Sequence, residues 1–168
     1  KIHIVVGNDG KQVKDKIRSF TFQKKISWVL QAEQLGTAHA VQKAIPHIGT
    51  KTRNEHILVL YGDVPLIRPD TLRQLLASTR ANTIGILTLI TAKNRGLGRI
   101  LRDESSEIIG IVEEKDASDS QKEIQEVNSG IMALPVGQLE SWLGRIERNN
   151  QQSEYYLTDI VALAVAEK

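Results

Sequence analysis

An acidic residue, Asp63, directly follows an apolar run and precedes a proline-bearing loop, within the segment LYGDVPL at residues 60–66. In open α/β sheets, ligands bind at the carboxyl ends of strands, and a carboxylate at position 63 would lie there. Such a carboxylate suits Mg²⁺, which takes hard oxygen ligands and leaves positions free for phosphate oxygens. The alternative is that Asp63 caps the turn before Pro65, a common role for aspartate.

A second candidate site lies in the segment QAEQLGTA at residues 31–38, between a predicted strand and a predicted helix. Gly36 and Thr37 fall at the helix entrance, where free backbone N–H groups attract anions and other hydrogen-bond acceptors. The Gln31 amide both donates and accepts, so it can match the edge of a nucleobase. The alternative is an ordinary first turn of a helix, with Thr37 as its cap.

Further segments combine turn residues with polar side chains, and each is weak as a single feature. They are Gly96 to Arg99, Glu113 to Ala117, Asn128 to Gly130 and Glu154 to Asp159. The glycine pair at 96 and 98 lacks the following element of a dinucleotide-binding fingerprint. Either Thr158 or Asp159 could cap a helix.

Other catalytic signatures are absent from the sequence. It contains neither a nucleophile elbow nor a phosphate-binding P-loop, which argues against serine hydrolases and Walker-type kinases. The four histidines (His3, His39, His47 and His56) lack the spacing of a metal site. His39 falls within a predicted helix, where packing or surface exposure is more common than metal ligation.

The elements that must position these residues alternate between two periodicities. Strands are predicted at Ile2–Val6, Ser27–Gln31, Ile57–Tyr61 and Ile84–Ile90. Helical spacing links Val13, Ile17 and Phe20, then Ala38, Val41 and Ile45 as far as Pro46, and then Leu72, Leu75 and Leu76. This order predicts an α/β domain with a Rossmann-like core and a mostly parallel sheet.

From about residue 96 the pattern changes to short strand candidates, which fit a small β insertion on the core. They are Arg99–Arg102, Ile108–Glu113 and Asn128–Leu134. Two more helices are predicted, one from Leu139, Trp142 or Leu143, and Ile146, and the other at Ile160–Ala166. No internal repeat or linker interrupts residues 1–168, so we expect one compact unit.

Composition narrows the classes of function. The chain has 168 residues, a formal charge of +2, and only two Trp, three Tyr and two Phe. So few aromatic residues and so small a charge argue against nucleic-acid binding. No apolar run reaches the roughly 20 residues of a membrane helix. The absence of cysteine excludes disulfides and thiolate sites. We therefore expect a cytoplasmic protein that acts on small molecules.

Taken in order, these segments resemble one family, the N-terminal uridyltransferase domain of the bacterial bifunctional N-acetylglucosamine-1-phosphate uridyltransferase/glucosamine-1-phosphate acetyltransferase. The resemblance covers nearly all of the chain. The matching segments are WVLQAEQLGTAHA (28–40), LYGDVPL (60–66), GRI (98–100), GIVEEKDA (110–117), EVNSG (126–130) and EYYLTD (154–159). Several motifs in the family's order are more specific than any one alone.

The resemblance implies uridylyl transfer from UTP to N-acetylglucosamine 1-phosphate, giving UDP-N-acetylglucosamine and pyrophosphate. It implies a Mg²⁺ ion held by Asp63. It implies nucleotide-binding positions at Gln31, Gly36, Thr37, Tyr61, Gly62 and Asp63. It implies sugar-binding positions at Gly98, Glu113, Asn128, Tyr156 and Thr158. No residue is assigned as a catalytic acid, base or nucleophile.

The chain also departs from the family. A first strand, its G-x-G-T-x-M loop and a following lysine do not occur, and the chain stops before a distal asparagine that ligates the metal and before the acetyltransferase β-helix. We therefore expect a domain truncated at both ends, with impaired transfer. The alternatives are a non-catalytic UDP-sugar-binding remnant and a related nucleotidyltransferase with another sugar. A homo-oligomer is expected only for a full-length protein.

Overall fold

A computed structural model describes residues 1–7, 10–17, 25–49 and 55–167. The strands are β1 Ile2–Val6, β2 Ile26–Leu30, β3 His56–Val59, β4 Gly85–Ile90, β5 Arg99–Arg102, β6 Ile108–Val112 and β7 Glu126–Pro135. The helices are α1 Gly10–Ile17, α2 Thr37–Ala44, α3 Pro69–Ser78, α4 Asp119–Lys122, α5 Val136–Leu143 and α6 Asp159–Ala166. A 3₁₀ turn at Ile45–His47 follows α2.

Local sequence explains where the helices begin and end. Proline at position 69 opens α3, because its fixed φ suits the first helical residue and its missing N–H is not needed there. Pro46 lies in the 3₁₀ turn and prevents α2 from continuing as an α-helix. Ser118 and Gln121 form a capping box on α4. Phe20, predicted to extend the face of α1, lies outside the described residues.

The α/β fold predicted from the sequence is confirmed, and its strands form two sheets. β1 and β2 pair in parallel, from Ile2 opposite Ile26 to Val6 opposite Leu30. In the second sheet, β7 pairs antiparallel with β3, β4 and β5, and β6 joins β5 as a hairpin. The described strands thus contain more antiparallel pairing than the predicted mostly parallel sheet implies.

The reason for this difference is the position of β7. The sequence placed Asn128–Leu134 among the short strands of an insertion, but β7 is the centre of the larger sheet and has β3 and β4 as partners. β3 and β4 run in the same direction, since each is antiparallel to β7. The β5–β6 hairpin is the inserted element that the sequence predicted.

Side chains alternate along β7 between two apolar cores. Met132 and Leu134 face a core formed with α2, α5 and α6. Ile131 and Ala133 face the opposite side, against Leu75 of α3. A strand covered on both faces needs apolar residues at successive positions, as this segment has. Within the described ranges, no helix combines the length and apolar character needed to cross a bilayer.

The two-sided burial of β7 predicts a large difference between two identical substitutions. Leu134→Ala removes a fully buried side chain and should lower the free energy of unfolding by about 2–5 kcal/mol. Leu66→Ala is the matched control, because Leu66 is 91% exposed and its truncation should have little effect. Urea denaturation of both variants measures the difference, and equal losses would contradict the placement of β7 at the centre.

Candidate active site

Tyr61 is held at the carboxyl end of β3 by close packing on β7. Gly130 has φ +79°, and a Cβ atom there would lie 2.6 Å from Tyr61 Cε2. Glycine is therefore required for both the backbone conformation and the space that the ring fills. The Tyr61 carbonyl accepts a hydrogen bond from the Val64 N–H, which closes the turn that carries Gly62 and Asp63.

The turn places Gly62 and Asp63 at the surface. Among the described residues, none donates a hydrogen bond to the Asp63 carboxylate, so the turn-capping alternative for this residue finds no support. The carboxylate does act electrostatically on Tyr61. Asp63 is thus an exposed acid at the end of a strand, as its sequence context predicts.

Thr37 connects three parts of the chain. It is the first residue of α2, and the N-cap position is Gly36, which makes no side-chain cap. The interpretation of Thr37 as an ordinary cap is therefore wrong. Its hydroxyl oxygen instead accepts a hydrogen bond of 2.9 Å from the Leu157 N–H. The Thr37 side chain also lies close enough to Tyr61 to lower the pKa of that phenol.

Glu113 follows β6 and lies beside Gly98. The Thr158 hydroxyl donates to Glu113 Oε1 at 2.9 Å, so this side chain does not cap α6. A Cβ atom on Gly98 would be 3.3 Å from Glu113 Oε2, which shows how closely the backbone approaches the carboxylate. The negative charge of Glu113, at the end of the β5–β6 hairpin, also raises the pKa of Tyr61.

Asn128 orders the start of β7 through two hydrogen bonds. Its N–H donates to the Gly98 carbonyl at 2.8 Å. Its side-chain oxygen accepts a 3.0 Å hydrogen bond from the Gly130 N–H. The side-chain NH₂ group, which is not used in these contacts, remains available as a donor.

Several carboxyl side chains, including that of Glu113, line a cavity of about 210 Å³. Its lining includes Glu113, Asp116, Tyr156 and Asp159. The Tyr156 hydroxyl accepts a 2.8 Å hydrogen bond from Gln152 Nε2. The predicted sugar-site residue Tyr156 therefore faces this cavity together with Glu113.

Burial and mutual repulsion change the acidity of the group. Burial raises the pKa of Glu113 above its usual range, although the hydrogen bond from Thr158 opposes the shift. Burial raises the pKa of Asp159 to about 6, and the negative charges of Glu113 and Asp116 add to this. Burial, and then the charge of Glu113, also raise the pKa of Tyr61. Protonation at these carboxyls therefore lies closer to neutrality than in water.

A buried arginine ties together the loops around Gly98. Arg99 is 2% exposed, and its Nη1 lies 3.5 Å from Glu114 Oε2. Its guanidinium also donates to the carbonyls of Leu97 and Lys122. Glu114 accepts a hydrogen bond from the Gly96 N–H. This pair could not be predicted from the sequence, because Glu114 resembles part of a solvent-exposed run of charged residues.

Gln31 makes a separate pair of contacts, one with Gly36 and one with His39. Gln31 Nε2 lies 3.0 Å from the Gly36 carbonyl oxygen and 3.1 Å from His39 Nδ1. Gly36 has φ +111°, and a Cβ atom there would lie 2.6 Å from the Tyr155 carbonyl oxygen. The Tyr155 N–H in turn donates to the Leu35 carbonyl at 2.8 Å.

Many of the predicted site residues lie close to one another. Hydrogen bonds join Thr158 to Glu113 and Asn128 to Gly98, and Gly98 closely approaches the Glu113 carboxylate. The charge of Glu113 and the side chain of Thr37 both affect the pKa of Tyr61. Gln31 and Gly36 adjoin Thr37 at the entrance of α2. Among the described residues, no group of three or more His, Cys, Asp or Glu side chains is arranged to hold a metal ion.

Comparison with known proteins places this arrangement in a family. The profile of the MobA-like NTP transferase domain matches residues 1–145. The bifunctional protein GlmU of Neisseria gonorrhoeae is 51% identical over 166 residues, which are 99% of this chain and 34% of that protein. GlmU of Pseudomonas entomophila is 46% identical over 99% of this chain and 35% of its own length.

The chain spans about a third of the length of these curated relatives. Its fold is also similar to that of UDP-glucose pyrophosphorylase. The structure of that enzyme complexed with UDP-glucose has a TM-score of 0.73 at 17% identity, covering 99% of this chain and 69% of the other. The profile match extends over most of the chain, so this protein belongs to the MobA-like NTP transferase domain family.

Proposed function

We propose that this chain carries nucleotide- and sugar-binding surfaces for transfer of a uridylyl group from UTP to N-acetylglucosamine 1-phosphate. The products would be UDP-N-acetylglucosamine and pyrophosphate. The observation that carries the proposal is that Thr37 and Glu113 both lie close enough to Tyr61 to affect its pKa, while Thr158 donates a hydrogen bond to Glu113. These residues come from distant segments that each match the uridyltransferase family in sequence.

The uracil would lie at the entrance of α2. The Gly36 N–H makes no hydrogen bond to any described residue and is available to a base oxygen. Gln31 Oε1 is available as an acceptor, because the amide nitrogen is engaged with Gly36 and His39. Tyr61 and Gly62 would border the nucleotide next to Thr37.

The sugar would lie against β5, β6 and the start of β7. Glu113 would accept hydrogen bonds from sugar hydroxyls, and the free NH₂ of Asn128 would donate to a sugar oxygen. Gly98 would contribute its backbone next to Glu113, where a Cβ atom would lie only 3.3 Å from the carboxylate. Thr158 would hold Glu113 in position, and Tyr156 would close the same side.

The residues present are compatible with a Mg²⁺ ion at Asp63. Mg²⁺ is commonly bound by one or two carboxylates together with substrate phosphates, so a single exposed carboxylate is a suitable protein ligand. When bound, the ion would neutralise negative charge on the phosphates. The chain's own contribution is to hold the carboxylate at the end of β3, beside Tyr61.

The reaction requires no covalent intermediate with the protein. An oxygen of the sugar phosphate forms a bond to the α-phosphorus of UTP, and the bond from that phosphorus to the departing pyrophosphate breaks. In-line displacement of this kind depends mainly on positioning and charge neutralisation. This is consistent with a site that contains no assigned nucleophile.

The product is an activated amino sugar, a precursor of bacterial cell-wall and outer-membrane polysaccharides, which would place the protein in the cytoplasm. The defining experiment measures pyrophosphate release by the 168-residue chain with UTP, N-acetylglucosamine 1-phosphate and Mg²⁺. A panel of other sugar 1-phosphates tests sugar choice. Binding of UDP-N-acetylglucosamine without turnover would indicate a binding remnant, and absence of both binding and turnover would contradict the proposal.

The role of Asp63 is tested by Asp63→Asn, which keeps the size of the side chain and removes its charge. We expect turnover in Mg²⁺ to fall by about 10²–10³, the usual effect of losing one well-placed electrostatic contact. Asp70→Asn is the control, since Asp70 pairs with Arg73 on the exposed surface of α3. Where turnover by the chain is too slow, the Mg²⁺ dependence of UTP affinity serves as the measurement. Equal effects of the two substitutions would contradict the assignment.

The role of Asn128 is tested by Asn128→Ala and calorimetry with two ligands. Loss of the NH₂ donor should weaken UDP-N-acetylglucosamine binding about 10-fold or more, because a buried hydroxyl partner is left unpaired. Binding of UTP, which has no sugar beyond its ribose, should change little. An equal loss for both ligands would show that the variant disturbs Gly130 and Tyr61 rather than a sugar contact.

The carboxyl group at Asp159 should make stability depend on pH. Its pKa in the folded protein is about 6, above the value near 4 expected when unfolded. Between these values the unfolded state releases a proton that the folded state retains. The free energy of unfolding should therefore fall as the pH rises from about 4 to above 6.

Asp159→Asn should remove this part of the pH dependence. The variant should gain stability relative to the parent at pH 7 and lose that advantage below about pH 4. Glu140→Gln, on the exposed side of α5, is the control. Urea denaturation at several pH values measures the effect, and parallel profiles for parent and Asp159→Asn would contradict the prediction.

A further inference from the structure

His39 is a buried polar side chain that the proposed chemistry does not use. It lies in the first turn of α2 and is 8% exposed. Its ring is 6.3 Å from the Tyr155 ring, centroid to centroid. Its Nδ1 atom lies 3.1 Å from Gln31 Nε2. The ring therefore touches one of the side chains that would contact the base.

The direction of each hydrogen bond follows from the chemistry of the partners. The Gly36 carbonyl oxygen can only accept, so the Gln31 atom 3.0 Å from it must be the amide nitrogen. The same nitrogen lies 3.1 Å from His39 Nδ1, and an amide NH₂ group can only donate hydrogen bonds. His39 Nδ1 is therefore an acceptor, and its proton is on Nε2.

Both N–H bonds of Gln31 are thus engaged inside the protein. The group that remains for a ligand is Oε1, which only accepts. Rotating the amide by half a turn would bring Oε1 against two acceptors, the Gly36 carbonyl oxygen and His39 Nδ1. The surroundings therefore allow one orientation of the amide and oppose the other.

The backbone around this contact is fixed independently of any ligand. The Tyr155 carbonyl accepts a 2.9 Å hydrogen bond from the Ala38 N–H, and the Tyr155 N–H donates to Leu35. These bonds hold both sides of Gly36, which has no space for a side chain. Gln31 and His39 consequently meet in a geometry set by the fold.

We propose that His39 is a positioning residue that makes Gln31 an acceptor-only contact, and so selects uracil over cytosine. The inference rests on the proposed function, in which Gln31 meets the base. Uracil carries a hydrogen on N3 and can donate to Oε1. Cytosine has a lone pair on N3 and would face Oε1 as a second acceptor.

Removing the imidazole acceptor should relax this selection. With a leucine at position 39, the rotated amide would place Oε1 against one acceptor, the Gly36 carbonyl oxygen, instead of two. The NH₂ group could then face the base and donate to N3 of cytosine, so the amide would serve cytosine as well as uracil. His39→Asn is the conservative variant, because Asn Oδ1 can accept from Gln31 near the position of Nδ1.

The experiment titrates the 168-residue parent chain, His39→Leu and His39→Asn with UTP and with CTP at fixed Mg²⁺. The parent should prefer UTP. His39→Leu should lower the ratio of UTP to CTP affinity about 10-fold, and His39→Asn should retain most of the ratio of the parent. The ratio matters because general loosening of α2 would weaken both nucleotides alike.

Each contrary outcome has a distinct meaning. A parent chain that binds neither nucleotide contradicts the proposed function, and this inference falls with it. A parent that prefers UTP, with the same ratio in His39→Leu, overturns the inference alone. Equal loss of selectivity in His39→Asn and His39→Leu also overturns it, since the Asn side chain supplies the acceptor that the inference requires.

Discussion

The candidate site depends on the contact between the Tyr61 ring and the backbone of Gly130. The ring occupies the volume that any side chain at position 130 would need, and φ at this residue is itself unsuited to other residues. β7 is held from both faces by apolar cores, so the ring rests on a rigid support. From this position Tyr61 lies close enough to Thr37 and to Glu113 for both side chains to affect its pKa.

The close packing around Glu113 has an electrostatic cost, because it buries carboxyl groups next to one another. Burial, and to a smaller extent the charge of Asp116, raise the pKa of Glu113. Burial, and then the charges of Glu113 and Asp116, raise the pKa of Asp159. Thr158 offsets part of the cost by donating to Glu113. A ligand hydroxyl that donated to the Glu113 carboxylate would favour its ionised form in the same way. Binding of a sugar would then be linked to release of a proton from this group.

Local patterns in the sequence were sufficient to predict most elements, but not their neighbours in space. β1 begins and ends where its β-branched run does, and Asp63 follows β3 closely as expected. The central position of β7 was missed because it depends on partners 36 to 79 residues away, which no local pattern reveals. Thr37 was misinterpreted for a related reason: its partner, Leu157, lies 120 residues further along the chain.

His39 and Arg99 are buried polar side chains that hold neighbouring groups in position, a role that local sequence patterns do not indicate. Several of the groups proposed to contact a ligand, among them Gln31 and the backbone of Gly98, do not fix their own geometry. Buried polar side chains hold them, because an unsatisfied buried donor or acceptor is costly and only a few arrangements satisfy it. Arg99 does this for the loop at Gly98, and His39 does it for Gln31. The orientation of the groups proposed to contact a ligand is thus set by the fold itself, which would reduce the entropy lost on binding.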